Sequence, residues 1–294
     1  VQLALLIAAG AAAGVFGALL GLGGGILIVP LLTLGFGLPF REAVGASLVC
    51  VIVTSSAAAS VYLQREVANL RLGMTLELFT AAAALIGGLV AFALPERLLG
   101  FLFALLLLYV AVGMARRREA VDAANAAEPS SAERAAAAPT RSPTAAAVPS
   151  AAGPAASSGR AGFLASLSGP GYRVHHLGIG AAGSLLAGLV SGLFGIGGGI
   201  VKVPVMNMAM GVPMRVATAT SNMMIGVTAS AGAIVYLVRG GIDPYVAAPT
   251  AVGVFVGASI TSRLAHRANV GLLRGLFVVV LTLTAAQILL RVLP

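Results

Sequence analysis

Gly21-Leu22-Gly23-Gly24-Gly25-Ile26 is answered 174 residues later by Gly195-Ile196-Gly197-Gly198-Gly199-Ile200. The offset holds without a gap past the glycines. Val29 and Pro30 fall on Val203 and Pro204, and Gly37, Pro39, Arg41 and Ala43 fall on Gly211, Pro213, Arg215 and Ala217. Ser47, Thr54, Ser56 and Tyr62 then fall on Ser221, Thr228, Ser230 and Tyr236. Between 21–62 and 195–236, 19 of 42 positions are identical. A shared apolar composition does not produce that, so the chain is an internal duplication.

Composition sets the class. The chain is 59% hydrophobic and 9% charged, with mean hydropathy +1.02, which places it among membrane proteins and away from soluble enzymes. Apolar runs at 43–63, 73–94 and 98–115 are long enough to cross a hydrocarbon core of about 30 Å at about 1.5 Å per residue. The net charge of +9 is not a nucleic-acid signature, because the arginines cluster at the ends of apolar segments and in one linker. Cys50, the single cysteine, lies inside an apolar run and reads as a small buried side chain. The run 3–20 lacks a preceding basic region and reads as a retained membrane segment, not a cleaved signal.

The first copy, 1–118, continues with a short apolar piece at 26–37, the break Gly37-Leu38-Pro39-Phe40-Arg41, and the three long runs. From 119 to 171 the chain turns to Ala, Pro and Ser with almost no large apolar residues. Such a composition builds no core and predicts a disordered linker. The second copy, 172–294, repeats the order with 176–194, 200–211, 216–238, 246–262 and 275–293; its identity to the first fades after Tyr236. Gly253 and Gly257, like Ala84 and Gly88, are spaced for close helix contact. The predicted fold is an all-α polytopic membrane protein made of two inverted repeats, each a Gly-rich broken-helix hairpin plus three transmembrane helices.

The orientation follows from the arginines. With each half crossing an odd number of times, Arg65, Arg71, Arg116, Arg117, Arg118, Arg215, Arg263, Arg267 and Arg274 lie inside. Arg41, Arg97, Arg239 and Arg291 lie outside. Even crossings give a nearly equal split, and the positive-inside rule prefers the first arrangement. It makes the linker cytoplasmic, puts both termini outside, and gives the halves opposite orientations, as in many secondary transporters.

The glycine clusters cost helix stability, and Pro30 and Pro204 each remove a backbone donor shortly after them. Broken backbone at membrane depth is tolerated only against protein or a water-filled cavity. The bends therefore face each other near the midplane, and the starts of 26–37 and 200–211 offer N–H groups to an anion. The competing reading is that the glycines serve helix packing alone; matched prolines in both copies count against it.

The polar candidates are Ser47 and Ser221, just after the Gly-x-Pro-x-Arg-x-Ala turns, with Asn222 adding an amide. Thr54 and Thr228 read as bonding their own helix carbonyls. Lys202 stands where the first copy has Ile28. An ammonium so placed is a functional candidate, or else a lysine snorkelling to an interface. No acid lies in the apolar segments of the second half, and Glu77 reaches Lys202 only if the halves pack so as to bring that segment end inward, so a bound anion is expected to supply much of its counter-charge. Arg41 and Arg215 mark segment ends, and Glu77 reads as interfacial. The three histidines have no partners at metal spacing, so no metal site is expected.

The duplicated Gly-x-Gly-Gly-Gly with its trailing proline, the Gly-x-Pro-x-Arg-x-Ala turn and the following Ser resemble the TauE/SafE family of membrane permeases, named for sulfite export. The resemblance covers both apolar halves and not 119–171. It implies a multi-pass cell-membrane transporter, working without a cofactor, for a small sulfur-containing anion such as sulfite or an organosulfonate. Carried onto this sequence, the pattern touches Gly21, Gly23, Gly24, Gly25, Pro30, Pro39 and Ser47. In the second copy it touches Gly195, Gly197, Gly198, Gly199, Pro204, Pro213 and Ser221. Gly45-Ala46-Ser47 departs from the Ala219-Thr220-Ser221 form in the other copy. An anion channel and a permease for a carboxylate or other small anion stay open as alternatives, as does a homo-oligomer. The apolar segments hold no paired acids, metal cluster or nucleophile with a base, which argues against an enzyme.

Overall fold

The computed structural model describes residues 2–20, 25–64, 68–127, 168, 172, 174–264 and 270–292. It is all helical over its long elements. The first half holds α1 (Gln2–Leu20), α2 (Gly25–Pro30), α3 (Phe40–Gln64), α4 (Leu70–Ala93) and α5 (Glu96–Ala127). The second holds α6 (Leu177–Phe194), α7 (Gly199–Pro204), α8 (Met214–Val238), α9 (Pro244–Leu264) and α10 (Val270–Val292). Short π-helical turns, Leu31–Gly35 and Val205–Ala209, extend α2 and α7. Among the described residues, α3, α4, α5, α6 and α8 are long and apolar enough to cross a membrane, and the others are shorter apolar helices. The protein is a multi-pass membrane protein. Leu78, Tyr109, Leu186 and Leu237 stand exposed on its outer faces, as side chains with hydrocarbon for solvent do.

The repeat runs further in the structure than in the sequence. Elements starting at 25, 31, 40, 70 and 96 have counterparts starting at 199, 205, 214, 244 and 270, always at the offset of 174. Helix geometry survives the loss of identity beyond Tyr236, because many apolar residues can fill the same lipid-facing positions. The helices α3, α4, α5, α8, α9 and α10 also start a few residues earlier than their apolar runs. Pro39 and Pro213 supply carbonyls to the amides of Ala43 and Ala217, at 3.1 and 2.9 Å, and so draw the polar turn residues into the first helical turn. The helix α5 continues to Ala127, past the compositional edge at 118.

The short pieces owe their form to proline and glycine. Pro204 has no N–H and its ring crowds the carbonyl four residues back, so regular i→i−4 bonding cannot pass it. The backbone widens, and the Met210 amide reaches five residues back to Val205, at 3.2 Å. Gly37 and Gly211 then turn with φ of 68° and 71°, letting Leu38 and Val212 bond back to Leu32 and Met206. The second bend folds against α6: Gly198 lies beside Ala187, Gly183 beside Val205 and Gly180 beside Met210. The His175 amide closes this hairpin on the Met210 carbonyl at 3.1 Å.

The halves interlock. The helix α1 packs on α9, and α6 packs on α4, so each half's first helix lies along the other half's fourth. Gly253 and Gly257 lie against the Ile7 and Ala11 carbonyls, while Gly188 and Gly192 lie against those of Thr80 and Ala84. These are the close contacts expected from the small-residue spacing; they bring backbones together where no side chain fits. The helices α3 and α8, counterparts of each other, pass in opposite directions. Gly45 meets Gly241, Leu48 meets Gly232, and Ser55 donates to the Asn222 carbonyl at 2.7 Å.

Candidate functional site

Lys202 sits one helical turn past Gly199, at the end of a bend that only glycine can make. Gly195, Gly197 and Gly198 have φ of 71°, 82° and 73°, the left-handed region that side chains disfavour. The bend is also crowded: a Cβ on Gly198 would lie 2.8 Å from the Ala187 carbonyl oxygen. The lysine is therefore delivered into the protein and not toward an interface, and it is 2% exposed.

Its partner comes from the other half. Lys202 Nζ lies 3.0 Å from Glu77 Oε2 and 2.7 Å from Thr228 Oγ1. Thr228 Oγ1 lies 2.6 Å from Glu77 Oε1 and 3.1 Å from the Met224 carbonyl. The ammonium donates to the hydroxyl and the carboxylate, and the single hydroxyl proton points to the nearer acceptor, the carboxylate, in a charge-assisted bond. Three side chains from α4, α7 and α8 thus form a closed, buried triangle.

Two expectations are corrected here. Glu77 does not face outward at a segment end: its side chain is 10% exposed. And Lys202 does not wait for an anion, because a protein carboxylate already neutralises it. The close approach of α4 to α6 turns the Glu77 face inward. The start of α4 is fixed by Asn69, whose side chain accepts from the Leu72 amide at 3.1 Å and whose amide group donates to the Tyr172 hydroxyl at 2.7 Å. The Asn69 backbone amide donates to Thr220 Oγ1 at 2.9 Å, tying this corner to α8. Thr228 also does more than bond its own helix.

The triangle has no twin. At the offset of 174, Lys202, Thr228 and Glu77 correspond to Ile28, Thr54 and Ala251. Thr54 is buried and lies 3.1 Å from the carbonyls of Cys50 and Val51 in its own helix, with apolar counterparts at the other two corners. The duplication supplies the frame, and the charge occupies one side of it.

The other sequence candidates divide. Ser47 is fully buried, with Oγ 3.1 Å from the Gly25 carbonyl and 2.9 Å from that of Gly195, so it bridges the two bends. A Cβ on Gly25 would lie 2.7 Å from the same Gly195 oxygen, so the bends touch at this point. Ser221 is equally buried, but its hydroxyl has no partner among the described residues, and it faces Gly199. Asn222 is buried beside it, its carbonyl taken by Ser55. Gly21, Gly23 and Gly24 lie outside the described residues. Pro30 and Pro204 end the short helices.

Arg41 and Arg215, matched in sequence, differ in place. Arg41 donates to the carbonyls of Ala91 at 3.3 Å and Leu94 at 2.7 Å, closing the C-terminal end of α4. Arg215 is exposed. Sequence reasoning also missed Ser191, a second buried hydroxyl without a partner among the described residues. A cavity of about 320 Å³ lies beside the first bend, against Phe16, Leu31, Phe277 and Gln287, and Lys202 and Glu77 do not line it.

The sequence profile described as "Sulfite exporter TauE/SafE" matches residues 6–288, nearly the whole chain. The chain belongs to the TauE/SafE family. A curated relative from Bacillus subtilis (strain 168), named probable membrane transporter protein YunE, is 22% identical over 292 residues, covering 97% of this chain and 96% of its own. No solved structure matches. TauE/SafE proteins form a transporter family and not an enzyme family.

Proposed function

We propose that the protein is a secondary transporter for small sulfur-containing anions of the sulfite and organosulfonate class. Lys202 is the cationic anchor, and the partnerless Ser221 hydroxyl and the amides of the Gly197–Gly199 bend are the neighbouring donors. The carrying observation is a buried ammonium on a broken helix whose ionic partner, among the described residues, belongs to the other half. A motion of one half against the other separates that pair and leaves a cation that an anion can satisfy. The family's description as sulfite exporters supports sulfur oxyanions over carboxylates. Purified protein in liposomes loaded with sulfite or methanesulfonate should take up the labelled anion saturably, accelerated by the trans anion. A preference for acetate over both, or linear flux without trans-acceleration, would replace this reading by the carboxylate permease or the channel.

The same proposal includes two inverted repeats flanking a cytoplasmic 119–171 linker. Support comes from the opposite passage of α3 and α8 and from the nine-to-four arginine split. In a Cys50→Ser background, Arg239→Cys should react with an impermeant thiol reagent from outside and Ser150→Cys should not. The reverse pattern of labelling would reject the orientation.

A further inference from the structure

We propose that Glu77 is a proton-coupling carboxylate: each monoanion that takes its place on Lys202 is accompanied by one proton onto Glu77, so anion and proton move together. The inference rests on the anion reading above and goes beyond it to the stoichiometry and charge of the passenger.

The first step is charge. In the structure, Lys202 and Glu77 sum to zero within a fully packed site. An anion that displaced the carboxylate and left it ionised would create a buried site of net charge −1. Uncompensated charge in such surroundings is strongly unfavourable. One proton on Glu77 restores neutrality: the ammonium faces the monoanion, and the carboxyl is neutral. The proton comes from water on the side to which the site opens and leaves with the anion on the other side. A dianion would leave a net −1 even then. The site therefore favours hydrogensulfite over the sulfite dianion, and monosulfonates over anions carrying a second acid.

The second step is hydrogen bonding, where Thr228 has a specific part. With Glu77 ionised, Lys202 donates to the Thr228 hydroxyl and the hydroxyl donates to Glu77, at 2.7 and 2.6 Å. With Glu77 protonated, its O–H can donate to Thr228 Oγ1, and the Thr228 proton turns to the Met224 carbonyl, already 3.1 Å away. The hydroxyl is a rotor with an acceptor at each stop. Neither protonation state leaves the Glu77–Thr228 contact without a proton to share, which matters because orphaned buried polar groups are costly. The counterpart site, Ile28 with Thr54 and Ala251, has no acid to couple.

Among the described residues, no other titratable side chain faces the pair from the helices around it. Leu177–Phe194 contains none, and Gly199–Ala209 contains only Lys202. On α8, Arg215 is exposed and Tyr236 points its hydroxyl at the Leu193 carbonyl, 3.3 Å away. On α4 itself Arg71 is exposed, and His175 and His176, before α6, are exposed as well.

Methanesulfonate tests this, because it stays a monoanion throughout the working pH range and brings no proton of its own. Its Kd for the purified full-length protein should rise about tenfold per pH unit wherever Glu77 is ionised in the free protein and protonated in the complex. In weakly buffered solution containing a pH dye, binding should take up about one proton per protein. Glu77→Gln, permanently neutral, should bind tightly at high pH, lose the slope and take up no proton. A wild type that binds with a flat pH profile and no proton uptake overturns the coupling and leaves the anion reading standing. A slope that persists in Glu77→Gln does the same. If neither methanesulfonate nor sulfite binds the wild type at any pH, the anion reading fails and the coupling with it. The wild-type dye measurement decides the matter even if Glu77→Gln does not fold.

Discussion

Lys202→Met should abolish anion binding and destabilise the protein, while Lys202→Met combined with Glu77→Gln should recover the stability and not the binding. Methionine matches the length of the lysine stem, so little packing changes. What changes is that Glu77 keeps its charge with, among the described residues, only the Thr228 hydroxyl to answer it. Breaking a buried ion pair from one side typically costs about 3–5 kcal/mol, whereas replacing both partners with neutral groups of similar size is close to neutral. The pair here is well shielded, with side-chain exposures of 1% and 10%, which places it near the buried limit. Thermal unfolding in detergent should show the single variant well below the wild type and the double variant close to it. Equal stability of Lys202→Met and wild type would mean that the two charges are not paired in the membrane protein.

Gly192→Val should separate α4 from α6 and inactivate transport. A Cβ at Gly192 points into the Ala84 carbonyl and within 2.7 Å of the Gly88 amide nitrogen, both backbone atoms that cannot step aside. Helix association in lipid depends on this kind of close packing, because the surrounding tails offer no hydrophobic gain. Overpacking commonly costs about 1–3 kcal/mol even where side chains can shift, and backbone cannot shift without moving the helix. The displacement also reaches the site, because Glu77 rides on the same helix as Ala84. Gly113→Val is the control: it adds the same side chain at an exposed glycine with nothing near it. If both variants fold and transport like the wild type, α4 and α6 do not meet as described.

The duplication, the helical order and the broken segments were legible because they depend on residue types that act locally. Glycine and proline punctuate a helix wherever they stand, and apolar runs of sufficient length declare their solvent. Lys202 was legible because it interrupts a repeat that otherwise matches. Its partner was legible only as a condition on how the halves pack, because 125 residues separate Lys202 from Glu77 and the packing of α4 on α6 and α8 brings them together. Nearness to the start of an apolar run made Glu77 look interfacial. Yet it carried the same kind of mark as the lysine: its counterpart, Ala251, cannot ionise. Two unmatched charges of opposite sign in a repeat this regular are a pair in waiting. The division of labour between Ser47 and Ser221 was beyond reach, since matched residues in matched turns give no hint that one is bonded and the other is not.

The exchange of first helices between halves also bears on how the chain is made. When the ribosome has finished α5, the small-residue faces of α1 and α4 have no surface to close on, because α9 and α6 do not yet exist. Gly10 and Gly14 await Thr250 and Val254, some 240 residues later in the chain. The first half is inserted long before it is packed. Final assembly belongs to the end of synthesis, and a chain stopped after the linker leaves α1 and α4 in the bilayer without the helices they pack on most closely.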